Sequence, residues 1–410
     1  MAQDVTVGTA VSKQRWVVLG LIYVGMLAFA MVMQSIPPTL PLILRELGLS
    51  HTQGGLLMSF FALPGIVIAI PVGILADRYN QKAICLLALT VMLTGTVVVA
   101  SGNSLSVLLL GRVISGIGGV TFMVTAPQLL AQRFAGREIG VAMGIFNTGV
   151  PLGTILSLNL LAILAQNQGW HAGIWLSAGI VMLALAAFAF WFKPAPKTGP
   201  TTPQPLGSLF KGITTVGTHI WFLGITWGFF NAAMVALFTF TPVLLTEGGL
   251  TMGRAGFVTS LVMFPALLLS PVIGLIIDRC GYQRRIIIIG CIGITILTTL
   301  VPGAIGWVVL LMLLIGIFQA LIPAPIFALA PEITSPEKLG LGYGIISVCM
   351  NIGILVGPII AGFTKDFTVS YQGSYNVMAG FALLPVAVVI LFLRRRCVSP
   401  DTETKEDSQF

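Results

Sequence analysis

Twelve apolar runs divide this chain of 410 residues, each close to the ~20 residues that a helix needs to cross the hydrocarbon of a bilayer. They lie near 16–38, 54–76, 82–101, 105–127, 139–164, 171–192, 219–245, 253–277, 285–304, 306–330, 338–363 and 373–393. An apolar share of 56% with only 8% charged residues excludes an ordinary soluble domain, in which about a quarter of residues carry charge. Glycine and proline recur inside the runs, which membrane helices accept because neighbouring helices satisfy the freed backbone groups. The expected fold class is an all-α membrane protein.

The chain is written twice. Gly55, Ser59, Pro64, Gly73, Asp77 and Arg78 fall on Gly256, Ser260, Pro265, Gly274, Asp278 and Arg279 at a constant offset of 201, and Pro41 falls on Pro242. Later the offset becomes 200: Gly116 meets Gly316, Gly140 meets Gly340 and Gly144 meets Gly344. A period of half the chain implies duplication of a six-helix unit. The expected organisation is one bundle over 1–192, a linker over 193–218, a second bundle over 219–396 and a disordered cytoplasmic tail over 397–410. The linker is rich in proline and polar residues, which reads as extended.

The duplicated Gly-x-x-x-Asp-Arg hairpin lies between runs two and three and again between runs eight and nine. It resembles the signature loop of the major facilitator superfamily, and the resemblance runs from about Arg15 to Arg396. The Asn147-Thr148-Gly149-Val150-Pro151-Leu152-Gly153 stretch and the short loops look most like the cyanate-permease-like branch. The resemblance implies twelve helices in two pseudo-symmetric bundles and secondary transport by alternating access. It also implies that Asp77 and Asp278, with Arg78 and Arg279, gate the cytoplasmic side. Asp77 would face the start of the eleventh helix near 338–342, and Asp278 the start of the fifth near 138–140. A carboxylate there is well placed to meet the partly positive N-terminus of another helix; the plainer reading of each aspartate is a helix-end cap, with the nearby Arg and Lys retained on the cytoplasmic side. The fifth helix only approximates the glycine-proline motif associated with exchangers, while the eleventh carries Gly353, Gly357, Pro358 and Gly362.

Arg112 stands alone as a charge deep inside a run, and Gly116 and Gly119 share its helical face. A cation at that depth costs at least about 2.5 kcal/mol, so it needs a partner. Two candidates are a substrate anion and the backbone carbonyls of the first helix, which Pro37, Pro38 and Pro41 break late. The second half has Met312 at the matching place. Amides at membrane depth complete the candidate substrate-binding set: Gln34 in the first helix, Asn147 in the fifth, Asn231 in the seventh, Gln319 in the tenth and Asn351 in the eleventh. Each could instead tie helix to helix, at about 0.6 kcal/mol a bond. Tyr23, Trp227, Phe230 and Phe327 are candidate aromatic walls.

The formal charge of +8 does not mark a nucleic-acid binder, because 17 of the 21 Lys and Arg residues lie on one face. That bias places both termini in the cytoplasm and makes the chain a multi-pass protein of the cell (inner) membrane. The N-terminus shows no cleavable signal peptide. Five dispersed cysteines give neither a disulfide framework nor metal-ligand spacing, and no cofactor is expected. All 13 acids and the three histidines lie near run ends or outside the runs, so the buried carboxylate usual in proton-coupled drug exporters is missing. The expected function is uniport, exchange or symport of a small solute, a small anion among the candidates, by a monomer in the lipid bilayer. The rival readings are multidrug efflux and a non-transporting sensor, the latter needing a signalling domain. A membrane enzyme would need a cluster of His, Cys or acids at depth. If Asp77 is a latch, Asp77→Asn lowers the transport rate in liposomes at least about tenfold, a loss worth one hydrogen bond to a charged group, while the melting temperature stays within a few degrees. Normal rates from the well-folded variant would exclude the latch.

Overall fold

The computed structural model describes residues 2–134, 138–192, 217–280, 282–334 and 339–396; the tail expectation and residues 193–216 of the expected linker lie outside them, and Thr218, its last residue, opens a helix. Twelve spans are present among the described residues, with no strand. Spans 1 to 6 are Arg15–Leu47, His51–Gly73, Gln81–Ser101, Leu105–Arg133, Val141–Gln168 and Trp170–Trp191. Spans 7 to 12 are Thr218–Glu247, Met252–Leu269, Gln283–Leu300, Ile305–Ile333, Gly340–Thr368 and Tyr371–Leu391. An even number of spans brings both ends of the chain to one end of the bundle, called here the terminal end. The turns after spans 2 and 8 share that end, and the turns after odd-numbered spans form the far end.

Most boundaries match the apolar runs to within a turn or so. The first does not: helix resumes at Ile36 and continues to Leu47. Proline reads as a breaker, yet Pro37 and Pro38 occupy the first positions of the resumed helix, where a missing N–H costs nothing. The helix stops at Gly48, in the left-handed region at φ 61°. Span 2 pauses in the same way after Ser59 and resumes at Leu63 with Pro64 in its first turn.

Packing follows residue size. Span 7 is the most enclosed, with 89% of its apolar window buried, against 28% for span 9, whose Ile289, Ile292 and Ile296 point outward. Spans 3 and 4 approach closely along Gly95, Gly111 and Gly118. A Cβ on Gly95 would strike the backbone of Ser115 and Gly111, and one on Gly118 would strike Met92 and Ala88. Small residues at such seams let van der Waals contact replace the hydrophobic drive that lipid does not supply. Gly95→Val is therefore expected to destabilise the protein by about 2 kcal/mol or more, the cost of overpacking. Gly20→Val, where nothing lies within 4 Å, is the control, and thermal melts in detergent compare the two.

Candidate functional site

Two places in this bundle carry more chemistry than packing requires. The first is the break in span 1. Because Pro37 and Pro38 have no N–H, the carbonyls four residues back, on Met33 and Gln34, lose their helical donors. Both are met by side chains from other spans. Arg112 Nη2 donates to Met33 O at 3.1 Å, and Ser157 Oγ donates to Gln34 O at 2.6 Å. Arg112 also donates from Nη1 to Val32 O at 2.8 Å and from Nε to Leu57 O at 2.8 Å, just before the pause in span 2. Its guanidinium stacks 4.7 Å from the Phe61 ring centroid, and the residue is 1% exposed. Of the two partners the sequence allows, the carbonyls of span 1 are the ones engaged. Hydrogen bonds to a charged group contribute about 1.5–3 kcal/mol each, so three of them offset the insertion cost of the cation.

The second place is the far end, where the two bundles interlock twice by one device. Gly55 of span 2 lies against the Pro358 carbonyl of span 11, and Gly256 of span 8 against the Leu158 carbonyl of span 5; a Cβ at either glycine would strike that oxygen. The pairs are related by the offsets 201 and 200. Leu158 sits in a π-helical turn, Ser157–Leu161, whose Asn159 Nδ2 donates to Ser260 Oγ at 3.0 Å. Ser59 Oγ in turn reaches Ile354 O at 3.3 Å.

Three residues before each glycine, a helix N-terminus is capped from across the seam. The Gly253 amide donates to Gln166 Oε1 at 3.2 Å. At the matching position, the Thr52 amide and hydroxyl donate to Asp366 Oδ2 at 2.7 and 2.6 Å. The His51 amide donates to Asp366 Oδ1 at 3.0 Å, and a carboxylate there also suits the positive end of the helix dipole. His51, Thr52, Gln166, Glu247 and Asp366 are absent from the sequence-derived candidate site. Extending the duplication would have paired Gln166 with Asp366 and Thr52 with Gly253.

The remaining candidates scatter between the seams. Gln34 is 5% exposed and Gln319 is 8% exposed, and in each the amide oxygen has no hydrogen-bond partner. Gln319 Nε2 rests 3.8 Å from Met263 Sδ. The Asn231 amide donates to Trp227 O at 2.8 Å, and Asn351 to Ser347 O at 2.9 Å. Asn351 faces Gly65 of span 2, whose Cβ it would obstruct, so it belongs to the seam between bundles. Asn147 is exposed on span 5, beside Thr148, which pairs with Tyr23 at 3.1 Å. Trp227 stacks on Phe230 at 5.1 Å and meets Phe327 edge-on at 5.5 Å. Asp77, Arg78, Asp278 and Arg279 lie in the last turns of helices Leu63–Arg78 and Met263–Cys280; their side chains are outside the described residues.

The model of the family described as Major Facilitator Superfamily matches residues 22–255 and 245–409. A hexuronate transporter of Bacillus subtilis is 25% identical over 388 residues, covering 86% of this chain and 89% of that protein. A probable nitrate transporter of Staphylococcus carnosus is 25% identical over 374 residues, covering 89% and 93%. Among solved structures, a bacterial homologue of the human lysosomal transporter Spinster, inward-facing and unoccupied, superposes with a TM-score of 0.76 at 17% identity, covering 93% of this chain and 97% of its own.

The geometry of Arg112 makes a stability prediction. Arg112→Ala leaves the Met33 and Leu57 carbonyls without this donor and should destabilise by about 3 kcal/mol or more. Arg112→Lys, with one compact head in place of a fork, should recover less than half of that. Denaturant titrations on purified protein separate this from a purely anion-binding arginine, whose loss would leave stability unchanged.

Proposed function

The chain belongs to the major facilitator superfamily, and on that premise we propose that it is a secondary transporter carrying a small, hydroxylated organic acid by alternating access. Its two bundles, residues 1–192 and 219–396 joined by 193–218, rock about a site held between them. The chain termini and the Asp77 and Asp278 turns face the cytoplasm of the cell membrane, a placement supported by the basic residues gathered at that end. The interlocked far end then faces outward, and Asp77, Arg78, Asp278 and Arg279 form the gate on the cytoplasmic side. Arg112 braces the first two spans and leaves solute contact to neutral groups.

The observation that carries the solute class is the pair of unpaired amide oxygens on Gln34 and Gln319, one from each bundle. A buried acceptor without a donor costs about 1–3 kcal/mol. A solute rich in O–H groups supplies the donor; nitrate has none. This favours a solute like that of the hexuronate-carrying relative over one like that of the probable nitrate carrier. Asn147 and Asn231 provide neutral donors for a carboxylate, and Trp227, Phe230 and Phe327 an apolar wall for a sugar face.

Replacing either glutamine by leucine removes a buried acceptor that no protein group meets and also a solute contact, so stability and binding move in opposite directions. Gln34→Leu and Gln319→Leu should leave the melting temperature unchanged or raised. They should also raise the KM for glucuronate uptake into liposomes at least about tenfold, as expected when a site built for a hydroxyl loses its acceptor. An unchanged KM in both variants would exclude this site. Because the acids and histidines lie near span ends, a pH gradient at fixed membrane potential should not drive accumulation of uncharged methyl glucuronate.

A further inference from the structure

The two far-end seams share their geometry and differ in chemistry. Where Gln166 caps span 8 with a neutral amide, Asp366 caps span 2 with a carboxylate that also meets an imidazole. His51 Nδ1 lies 3.0 Å from Asp366 Oδ1. On the other side of the ring, Nε2 lies 3.3 Å from Tyr371 Oη and 3.5 Å from Glu247 Oε1. The single phenolic proton of Tyr371 goes to Glu247 Oε1, at 2.7 Å, so the Tyr371 oxygen faces His51 with lone pairs alone. Both ring nitrogens therefore face acceptors. A neutral imidazole has one N–H and must turn a lone pair toward one of them, whereas the imidazolium donates from both.

We propose that His51 is a proton-binding site, and that its protonated form locks span 2 to spans 7, 11 and 12 and holds the far end closed. Imidazole changes charge between about pH 5 and pH 8, and the His51 side chain keeps 22% of its surface exposed, so the proton comes from the solution at that end. The charged groups about the ring come from several spans. Asp366 approaches from span 11 and Glu247 from span 7. Lys365 opposes them but is held 4.2 Å from the Tyr371 ring centroid. Arg45 and Glu46 close span 1, exposed and of opposite sign, and Phe240 presents an uncharged ring 6.3 Å away. Loss of the proton removes one charge-assisted bond between bundles but leaves the backbone cap on Asp366, so the gate loosens while span 2 keeps its start.

The site reads the pH outside without carrying protons across, since a closed far end never presents it to the other solution. This rests on the alternating-access reading, and the experiment separates the two. Spin labels on cysteines replacing Gln168 and Phe367, in a chain with the five native cysteines replaced, report the far-end opening in lipid nanodiscs. Between about pH 5.5 and about pH 8.5 the ratio of separated to closed populations should rise about tenfold, the weight of one such bond. His51→Gln should abolish that dependence, as should Asp366→Gln, which copies the Gln166 seam. A Gly256→Val wedge, forced against Leu158, should open the far end at either pH. A wedge that opens the gate while the wild-type ratio ignores pH, or a pH response that survives His51→Gln, would overturn the proton site. A far end that opens under no condition, the wedge included, would instead overturn alternating access.

Discussion

A carbonyl without a donor inside a bilayer is the constraint on which the rest of this structure depends. The bilayer core holds no water to accommodate it, and each such group costs several kcal/mol. Pro37 and Pro38 create two of them on Met33 and Gln34, and the chain answers from two other spans with Arg112 and Ser157. The break in span 1 and the buried charge of Arg112 are thus one feature. Because Arg112 also holds Leu57, the pauses of spans 1 and 2 are fastened to span 4 at one point.

Duplication supplied the same backbone device twice and left the chemistry free to diverge. The glycine-on-carbonyl contacts of Gly55 and Gly256 are geometric and survive in both halves. The side chains around them do not match: Arg112 answers to Met312, and Asp366 to Gln166. Charge therefore sits in the first bundle at the break in span 1 and on one seam at the far end. A transporter with this distribution has one half that is stiffened electrostatically and one that relies on packing. The two far-end seams need not open with equal ease.

The spans and the repeat could be read from sequence because both are periodic signals that tertiary contacts barely alter. The end of span 1 could not, since proline has opposite meanings inside a helix and in its first turn, and only the backbone says which applies. The partner of Arg112 was half legible: the two prolines name the carbonyls that need a donor, but a substrate anion satisfies the same arithmetic. The far-end cluster was hidden by distance, His51 and Asp366 being 315 residues apart. Residue type alone marks Gln34 and Gln319 as polar and deep. That their oxygens lack partners is a property of packing.

Magnitudes decide which seam governs the far end. Neutral hydrogen bonds between membrane helices contribute about 0.6 kcal/mol each. The Asn159–Ser260 and Gln166–Gly253 bonds that join spans 5 and 8 then contribute on the order of 1 kcal/mol together. Moving a two-state equilibrium from one extreme to the other takes about 5.5 kcal/mol, so that seam follows the rest of the molecule. Bonds to a charged group contribute about 1.5–3 kcal/mol each, and Asp366 accepts several. The span 2–span 11 seam is therefore the stronger of the two. On the proposed alternating-access reading, solute binding between the bundles drives the change only if part of that seam is released first. The backbone bonds to Asp366 persist as long as span 2 keeps its helical start. Among the contacts described, the adjustable part is the pair of bonds made by the His51 ring.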